Sequence, residues 1–249
     1  MARQRVPEGP PAVLPVQKLR IRYAKRGRLR FSSTRDFQRA LERALRRAGV
    51  PMAYSAGFHP HPKISYANAA PTGTASEAEY VEISVVERLD PEHVRQALDS
   101  ALPEGLDICQ VVEAKPGALA DRLQASLWRL EFPGLGEQEL RSACERFEAE
   151  SSVEVTRTFK NGPRSFDARE AVVSLEVGAE KAGCAILHMV VRHTTPAVRP
   201  DDVLTALRTA GGLTPPQPPS VTRLAQGPLQ TADTTVADPL APDSDVAGA

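Results

Sequence analysis

The sequence predicts an α+β protein made of two tandem ferredoxin-like (βαββαβ) units, the second degenerate, between disordered termini. Three observations predict it. Apolar and charged residues alternate with period two early in the chain, an amphipathic helix follows, and the order strand, helix, strand, strand, helix, strand is complete by residue 114. A weaker copy of that order occupies residues 126–227. The 249 residues are 41% hydrophobic and 25% charged, a globular composition with enough chain for two small cores.

The first expected unit spans 16–114. Leu19, Ile21 and Tyr23 alternate with Arg20 and Arg22, and Leu29 and Phe31 alternate with Arg28 and Arg30. Lys18–Ser33 therefore reads as a hairpin or bulged strand broken at Lys25-Arg26-Gly27, with an apolar face that takes Tyr23 and Phe31 into the core. Thr34–Ala48 reads as a helix ended by Gly49, with Pro51 just beyond. Phe37, Leu41, Ala44, Leu45 and Ala48 form one side of it. Arg35, Arg39, Arg43, Arg46 and Arg47 form the other, the two sets centring about 170° apart.

Next comes a stiff, proline-broken loop containing Tyr54, Ser55, Gly57, Phe58, His59, Pro60, His61, Pro62 and Lys63. A strand over Ala78–Glu87, a helix over Asp90–Ala101 with Asp90 as N-cap and Pro91 at its first position, and a strand over Leu106–Glu113 close the unit. In the second unit (126–227) the strands are Leu127–Phe132, Val153–Phe159, Cys184–Arg192 and Ser220–Leu224, and the helices Glu137–Glu150 and Pro200–Ala210. Ala171–Val177 is an additional strand or turn. Residues 1–15 and the acidic tail 228–249 read as disordered.

Thirty-one basic and 31 acidic residues cancel, which at first argues against a polyanion partner. The cancellation is uneven. Residues 1–65 carry a net +12, 66–150 a net −10, 151–230 a net +2 and 231–249 a net −4. A basic first quarter fits a polyanion-binding surface made of Arg20, Arg22, Arg28, Arg30, Arg35, Arg39, Arg43, Arg46, Arg47 and Lys63. It fits equally a basic face that pairs with the acidic middle of the chain. Tyr54, Phe58 and Tyr66 lie close by in sequence and suit stacking on unpaired bases.

Other chemistry is poorly represented. His59 and His61 are the one close histidine pair, with no third metal ligand in sequence, so no metal and no cofactor are expected. There is no phosphate-cradling glycine loop and no nucleophile elbow. Cys109, Cys144 and Cys184 are 35 and 40 residues apart and suit packing. No stretch reaches the roughly 20 apolar residues of a membrane span, and no signal peptide is read, so a cytoplasmic protein is expected.

One run of residues resembles a known family. Arg28-Leu29-Arg30-Phe31-Ser32-Ser33-Thr34-Arg35-Asp36-Phe37, then Arg43 through Pro51, then Tyr54-Ser55-Ala56-Gly57-Phe58-His59-Pro60-His61-Pro62-Lys63-Ile64-Ser65, and Ser76-Glu77-Ala78-Glu79-Tyr80-Val81-Glu82, is similar to the radical-SAM-linked proteins, a domain of unknown function. Members are fused to radical SAM enzymes or encoded beside them. That family more often carries Asn where this chain has His59, and a His near Thr34. The resemblance implies a radical SAM enzyme as partner. The scattered cysteines lack the tight cluster such an enzyme needs, so this chain reads as a non-catalytic accessory module that binds the partner, an RNA substrate, or both. Two alternatives stand beside it: an RNA-processing or RNA-modifying enzyme using His59 or His61 as acid-base, and a purely protein-binding subunit.

Overall fold

A computed structural model describes residues 13–179, 183–230, 232 and 234–244. In chain order the elements are β1 (Gln17–Lys25), a 3-10 turn (Gly27–Phe31), α1 (Thr34–Arg47), β2 (Ile64–Ala67), β3 (Ala75–Val85), α2 (Pro91–Ala101), β4 (Ile108–Glu113), α3 (Leu119–Arg122), β5 (Ala125–Pro133), α4 (Glu137–Ala149), β6 (Glu154–Phe159), β7 (Gly162–Asp167), β8 (Val172–Ala179), β9 (Cys184–Arg192), α5 (Pro200–Thr209), β10 (Ser220–Gly227), β11 (Leu229–Gln230), β12 (Thr235–Val236) and α6 (Ala241–Ser244). The class is α+β. No helix among the described residues is long and apolar enough to cross a membrane.

The chain divides into two compact units. One takes the chain through Thr72, Glu79–Ala120 and the chain from Leu240; the other takes Gly73–Ala78 and Asp121–Pro239.

In the first unit the strands lie in the order β4-β1-β3-β2, with β4 antiparallel to β1 and β2 antiparallel to β3. Period-two alternation sends Leu19, Ile21 and Tyr23 of β1 and Val81, Ile83 and Val85 of β3 to one face. There they meet Phe37, Leu41 and Leu45 of α1 and Val94 and Leu98 of α2. Each such buried side chain contributes on the order of 1.5–3 kcal/mol. Tyr23 stacks on Phe37 with ring centroids 4.0 Å apart, the core role expected of it. Asp90 caps α2 by accepting from the backbone N–H groups of Glu92 and His93, with Pro91 in the first turn.

Of the hairpin or bulged strand expected over Lys18–Ser33, only the first arm forms, as β1; no second strand follows Lys25. Gly27 has φ +52°, a left-handed conformation that turns the chain out of β1, and residues 27–31 close into a 3-10 turn. The alternation of Arg28, Leu29, Arg30 and Phe31 imitates a strand over too few residues to decide. Phe31 is consequently 59% exposed and belongs to no core.

In the second unit the order is β10-β5-β9-β8, with antiparallel pairing throughout. Ala75 and Ser76 at the start of β3 pair parallel with Thr222 and Arg223 of β10. Trp128, Leu130 and Phe132 of β5 and Leu187 and Met189 of β9 pack on Leu140 and Phe147 of α4 and Val203 and Leu207 of α5. The segment expected as an additional strand or turn, Ala171–Val177, supplies the sheet strand β8. Val153–Phe159, expected in the sheet, instead holds β6, which pairs only with β7 in a separate hairpin. Both segments have strand-like composition; only β8 reaches β9, from Val172↔Val191 to Ala179↔Ala185.

The tail expected to be disordered from residue 228 is in part folded. β11 pairs with β12, and Leu240 and Asp243 are buried. Of the residues expected as disordered, 1–12, 231, 233 and 245–249 lie outside the described residues.

Candidate functional site

Helix α1 is fixed at both ends by local sequence. Ser33 Oγ accepts from the Asp36 backbone N–H at 3.2 Å, and Asp36 Oδ2 accepts from the Ser33 N–H at 3.2 Å, a reciprocal capping box. The hydrogen bonds from Ser33 hold the Asp36 carboxyl below the usual carboxylate range, helped by Arg39 and Arg35. At the far end the Val50 N–H reaches Leu45 O and the Gly49 N–H reaches Arg46 O, a Schellman closure. With Phe37, Leu41, Ala44 and Leu45 buried, the arginines are turned outward.

Arg35, Arg39, Arg43, Arg46 and Arg47 are all exposed. Arg35, Arg39, Arg43 and Arg47 follow one another at four-residue spacing, so each repels its neighbours by a few tenths of a kcal/mol, ~0.2–0.5. Only the last turn recovers part of this from the helix dipole. Among the described residues the one ion pair these arginines make is Arg46–Glu42, at a loose 3.9 Å. The stripe is an open positive surface.

The proline-rich loop stands beside the C-terminal half of α1. It is a short antiparallel ribbon: Tyr54 bridges Pro62, the Ser55 N–H donates to His61 O at 2.8 Å, and Ser55 Oγ accepts from the His61 N–H at 3.0 Å. The Lys63 N–H donates to Ala53 O, and the Ala53 N–H to Ser84 O of β3, which anchors the base. Residues 56–60 form an exposed tip containing Gly57, Phe58, His59 and Pro60, with Phe58 60% exposed and Tyr54 43%. Between ribbon and helix lies a cleft of about 320 Å³. Leu45, Val50 and Met52 give it apolar walls, Tyr54, Pro60 and Pro62 line the ribbon side, and Glu42, Arg46 and His61 bring charge or hydrogen-bonding capacity. It is at the small end of ligand-binding sizes.

The sequence-predicted basic residues divide into sets. Arg35, Arg39, Arg43, Arg46 and Arg47 share α1, and Lys63 is exposed where the ribbon enters β2. Arg28 is exposed on the 3-10 turn, and the Arg30 guanidinium sits over Phe31, 4.8 Å from the ring centroid. Arg20 and Arg22 are elsewhere, on the sheet face opposite α1 and α2. Arg22 is half-buried and Arg20 is 1% exposed. Arg20 donates from Nε to Glu82 at 3.0 Å and from Nη1 to both carboxylate oxygens of Asp243 at 2.9 and 2.8 Å, and it also donates to Gly117 O. Lys18 adds a 3.0 Å pair with Glu82. Arg20 is therefore a buried structural cation and does not belong to an open polyanion surface; the residue that seals it lies in the tail.

Sequence reasoning missed Glu42, Leu45, Val50 and Met52 as cleft residues, because all four follow from where the ribbon packs. It also missed the exposure of Phe31. His61 reaches the cleft, whereas His59 stands on the exposed tip. Among the described residues no three potential ligands converge on a metal position. Cys144 is buried in α4, its thiol pushed up to about 12 by desolvation. In the second unit Ser126 Oγ lies 2.8 Å from His193 Nε2, and His193 Nδ1 is 2.7 Å from Leu123 O. The carbonyl requires Nδ1 to donate, so Nε2 accepts from the hydroxyl. Burial lowers the His193 pKa from 6.5, as does Arg223, against the Leu123 bond. The arrangement resembles an activated serine, but Ser126 is fully buried, so the chain of bonds joins β5 to the end of β9.

A family profile described as "Uncharacterized protein conserved in bacteria (DUF2344)" matches residues 18–200, most of the chain. No curated protein matches significantly. Among solved structures, one described as "DyPB from Rhodococcus jostii RHA1, crystal form 2" aligns over 80% of this chain and 85% of its own at 12% identity, with a TM-score of 0.19, a likeness too slight to carry an argument.

Proposed function

Since the chain belongs to the DUF2344 family of uncharacterized proteins conserved in bacteria, we propose a function for it from its own surface: a non-catalytic accessory module that binds RNA in the cytoplasm through the arginine face of α1 and the adjoining cleft. The observation that carries this reading is the near absence of acidic partners along that face. Five arginines are exposed on one helix that carries only two acidic residues, Asp36 at its start and Glu42, and Arg46–Glu42 is the one ion pair they make among the described residues, which leaves a standing cost in repulsion. A polyanion relieves that cost, and arginine forks bind phosphate bidentately. Exposed Phe31, Tyr54 and Phe58 supply rings on which unpaired bases stack. The cleft between Arg46 and Tyr54 is large enough for one base or one phosphate-bearing group.

Two finer readings belong with it. The strand orders β4-β1-β3-β2 and β10-β5-β9-β8, each with its two helices on the sheet, support two ferredoxin-like units, with β6–β7 inserted in the second. The motif run from Arg28 to Ser65 supports a radical SAM enzyme as the protein partner, this chain presenting the RNA on which that enzyme acts. The presence of His61 in the cleft favours one alternative, an RNA-modifying activity of the chain itself, and His59→Ala/His61→Ala with unchanged RNA turnover in cells removes it.

The test is fluorescence anisotropy with a short mixed-sequence single-stranded RNA. Arg39→Glu/Arg43→Glu is expected to weaken binding at least tenfold, which is about 1.4 kcal/mol. Unchanged affinity in a folded variant overturns the RNA reading. If the variant instead fails to co-purify with a protein partner after nuclease treatment, the arginine face meets an acidic protein surface.

A further inference from the structure

The β6–β7 hairpin is the part of the second unit that its sheet does not absorb. Its base is anchored: Val155 is buried in the core with Val153 and Ala168, and Phe166 packs against them. Its tip is not. Gly162 has φ +103°, which glycine accommodates, and the turn it closes leaves Lys160 and Asn161 exposed. From Thr156 to Ser165 the chain carries Arg157, Lys160 and Arg164 and no acidic residue.

Arg157 and Arg164 face each other directly across the hairpin, an arrangement that destabilises a strand pair. Arg157 is compensated. It pairs with Asp202 of α5, donates to Ala197 O at 3.0 Å, and lies 4.6 Å from the Phe159 centroid and 5.0 Å from that of Phe166. Arg164 has no such partner among the described residues. It is exposed, with its guanidinium 5.6 Å from the Phe159 ring. Phe159 is half-exposed and outside the core cluster. The tip thus presents the Phe159 ring between two guanidiniums, the compensated Arg157 at 4.6 Å and the exposed Arg164 at 5.6 Å, and beside it the Lys160 ammonium, which has no acidic counterpart among the described residues.

We propose that this hairpin is a second RNA-contacting element and that it takes an unpaired stretch of strand, with Lys160 and Arg164 on phosphates and the Phe159–Arg164 pair as the stacking surface for a base. The inference rests on the RNA reading above but on different residues in a different unit. Stacking on a protein ring requires a base free of its own helix, so the hairpin favours single strands over duplex.

The experiment uses the full chain with α1 unaltered, and two probes: a short mixed-sequence single-stranded RNA and its blunt duplex. Lys160→Glu/Arg164→Glu is expected to weaken single-strand binding about tenfold and to flatten its salt dependence by roughly 0.7 in log–log slope for each phosphate no longer neutralised. Phe159→Leu, which keeps apolar bulk, is expected to weaken single-strand binding about fivefold or more and to leave duplex binding unchanged. Lys160→Glu alone, at the exposed turn, decides the matter if the double variant melts below the wild type. Single-strand affinity unchanged in these folded variants overturns the proposal. If Arg39→Glu/Arg43→Glu still abolishes binding in that case, only the hairpin fails; if neither site matters, the RNA reading fails with it.

Discussion

The first unit has two arginine-bearing surfaces, and they come to opposite ends. On the sheet face, Arg20 is sealed under Glu82 and Asp243, and Lys18 also reaches Glu82. Burial works to lower the Arg20 pKa, but the hydrogen bonds it donates to Asp243 and Glu82 reverse this and leave it raised. On α1, Arg39, Arg43 and Arg47 face solvent. The same residue type, within thirty positions, is a structural cation in one place and an unmet charge in the other. Net charge by segment cannot separate the two. What separates them is whether an acidic residue from another part of the chain lands on the same face, and for Arg20 one comes from β3 and another from the tail.

Removing Arg20 should have the largest effect of any single change. Arg20→Ala leaves Glu82 and Asp243 without their shared cation and is expected to cost about 3–5 kcal/mol in urea unfolding. RNA affinity of the protein that remains folded should not change. A loss of affinity at constant stability would place Arg20 in the binding surface and make the two faces alike.

A smaller effect is expected at the helix start. Ser33→Ala removes half of the capping box and should destabilise the first unit by about 1 kcal/mol. The pH dependence has a definite sign. Asp36 has a folded pKa below its ordinary 3.8, so its stabilisation is present above that value and disappears as the pH falls through the folded one. Acid titration of stability in Ser33→Ala should therefore be flatter below the ordinary carboxylate range. Equal acid slopes would show that the cap does not hold the helix.

The smallest effect concerns Glu42, which among the described residues makes the one ion pair with the α1 arginines. Glu42→Gln should change stability by no more than about 0.5 kcal/mol, since exposed pairs contribute little. It should tighten RNA binding at low salt, as one repulsive charge leaves the cleft.

The elements with strong local signals were legible. The two faces of α1, the Ser33–Asp36 start, the Asp90–Pro91 start of α2 and the alternation of β1 all follow from residues within a few positions of one another. That Arg35, Arg39, Arg43, Arg46 and Arg47 lie opposite the apolar side of α1 was legible in the same way, but that the face is open was not, because the charge count fits pairing with the acidic middle equally. Long-range facts were not legible. Whether Val153–Phe159 or Ala171–Val177 joins the second sheet depends on which of them reaches β9. Whether Arg20 is open depends on Asp243, more than two hundred residues away in the chain. Phe31 reads as core by alternation and is exposed because Gly27 turns the chain early.

On the proposed function, the α1 face and not the sheet face meets phosphate. The salt dependence of binding to a single-stranded RNA, compared between Arg43→Gln and Lys18→Gln, tests it most directly. The log–log slope is expected to be shallower by roughly 0.7 for Arg43→Gln and unchanged for Lys18→Gln. A slope that falls with Lys18 and stays with Arg43 would contradict it.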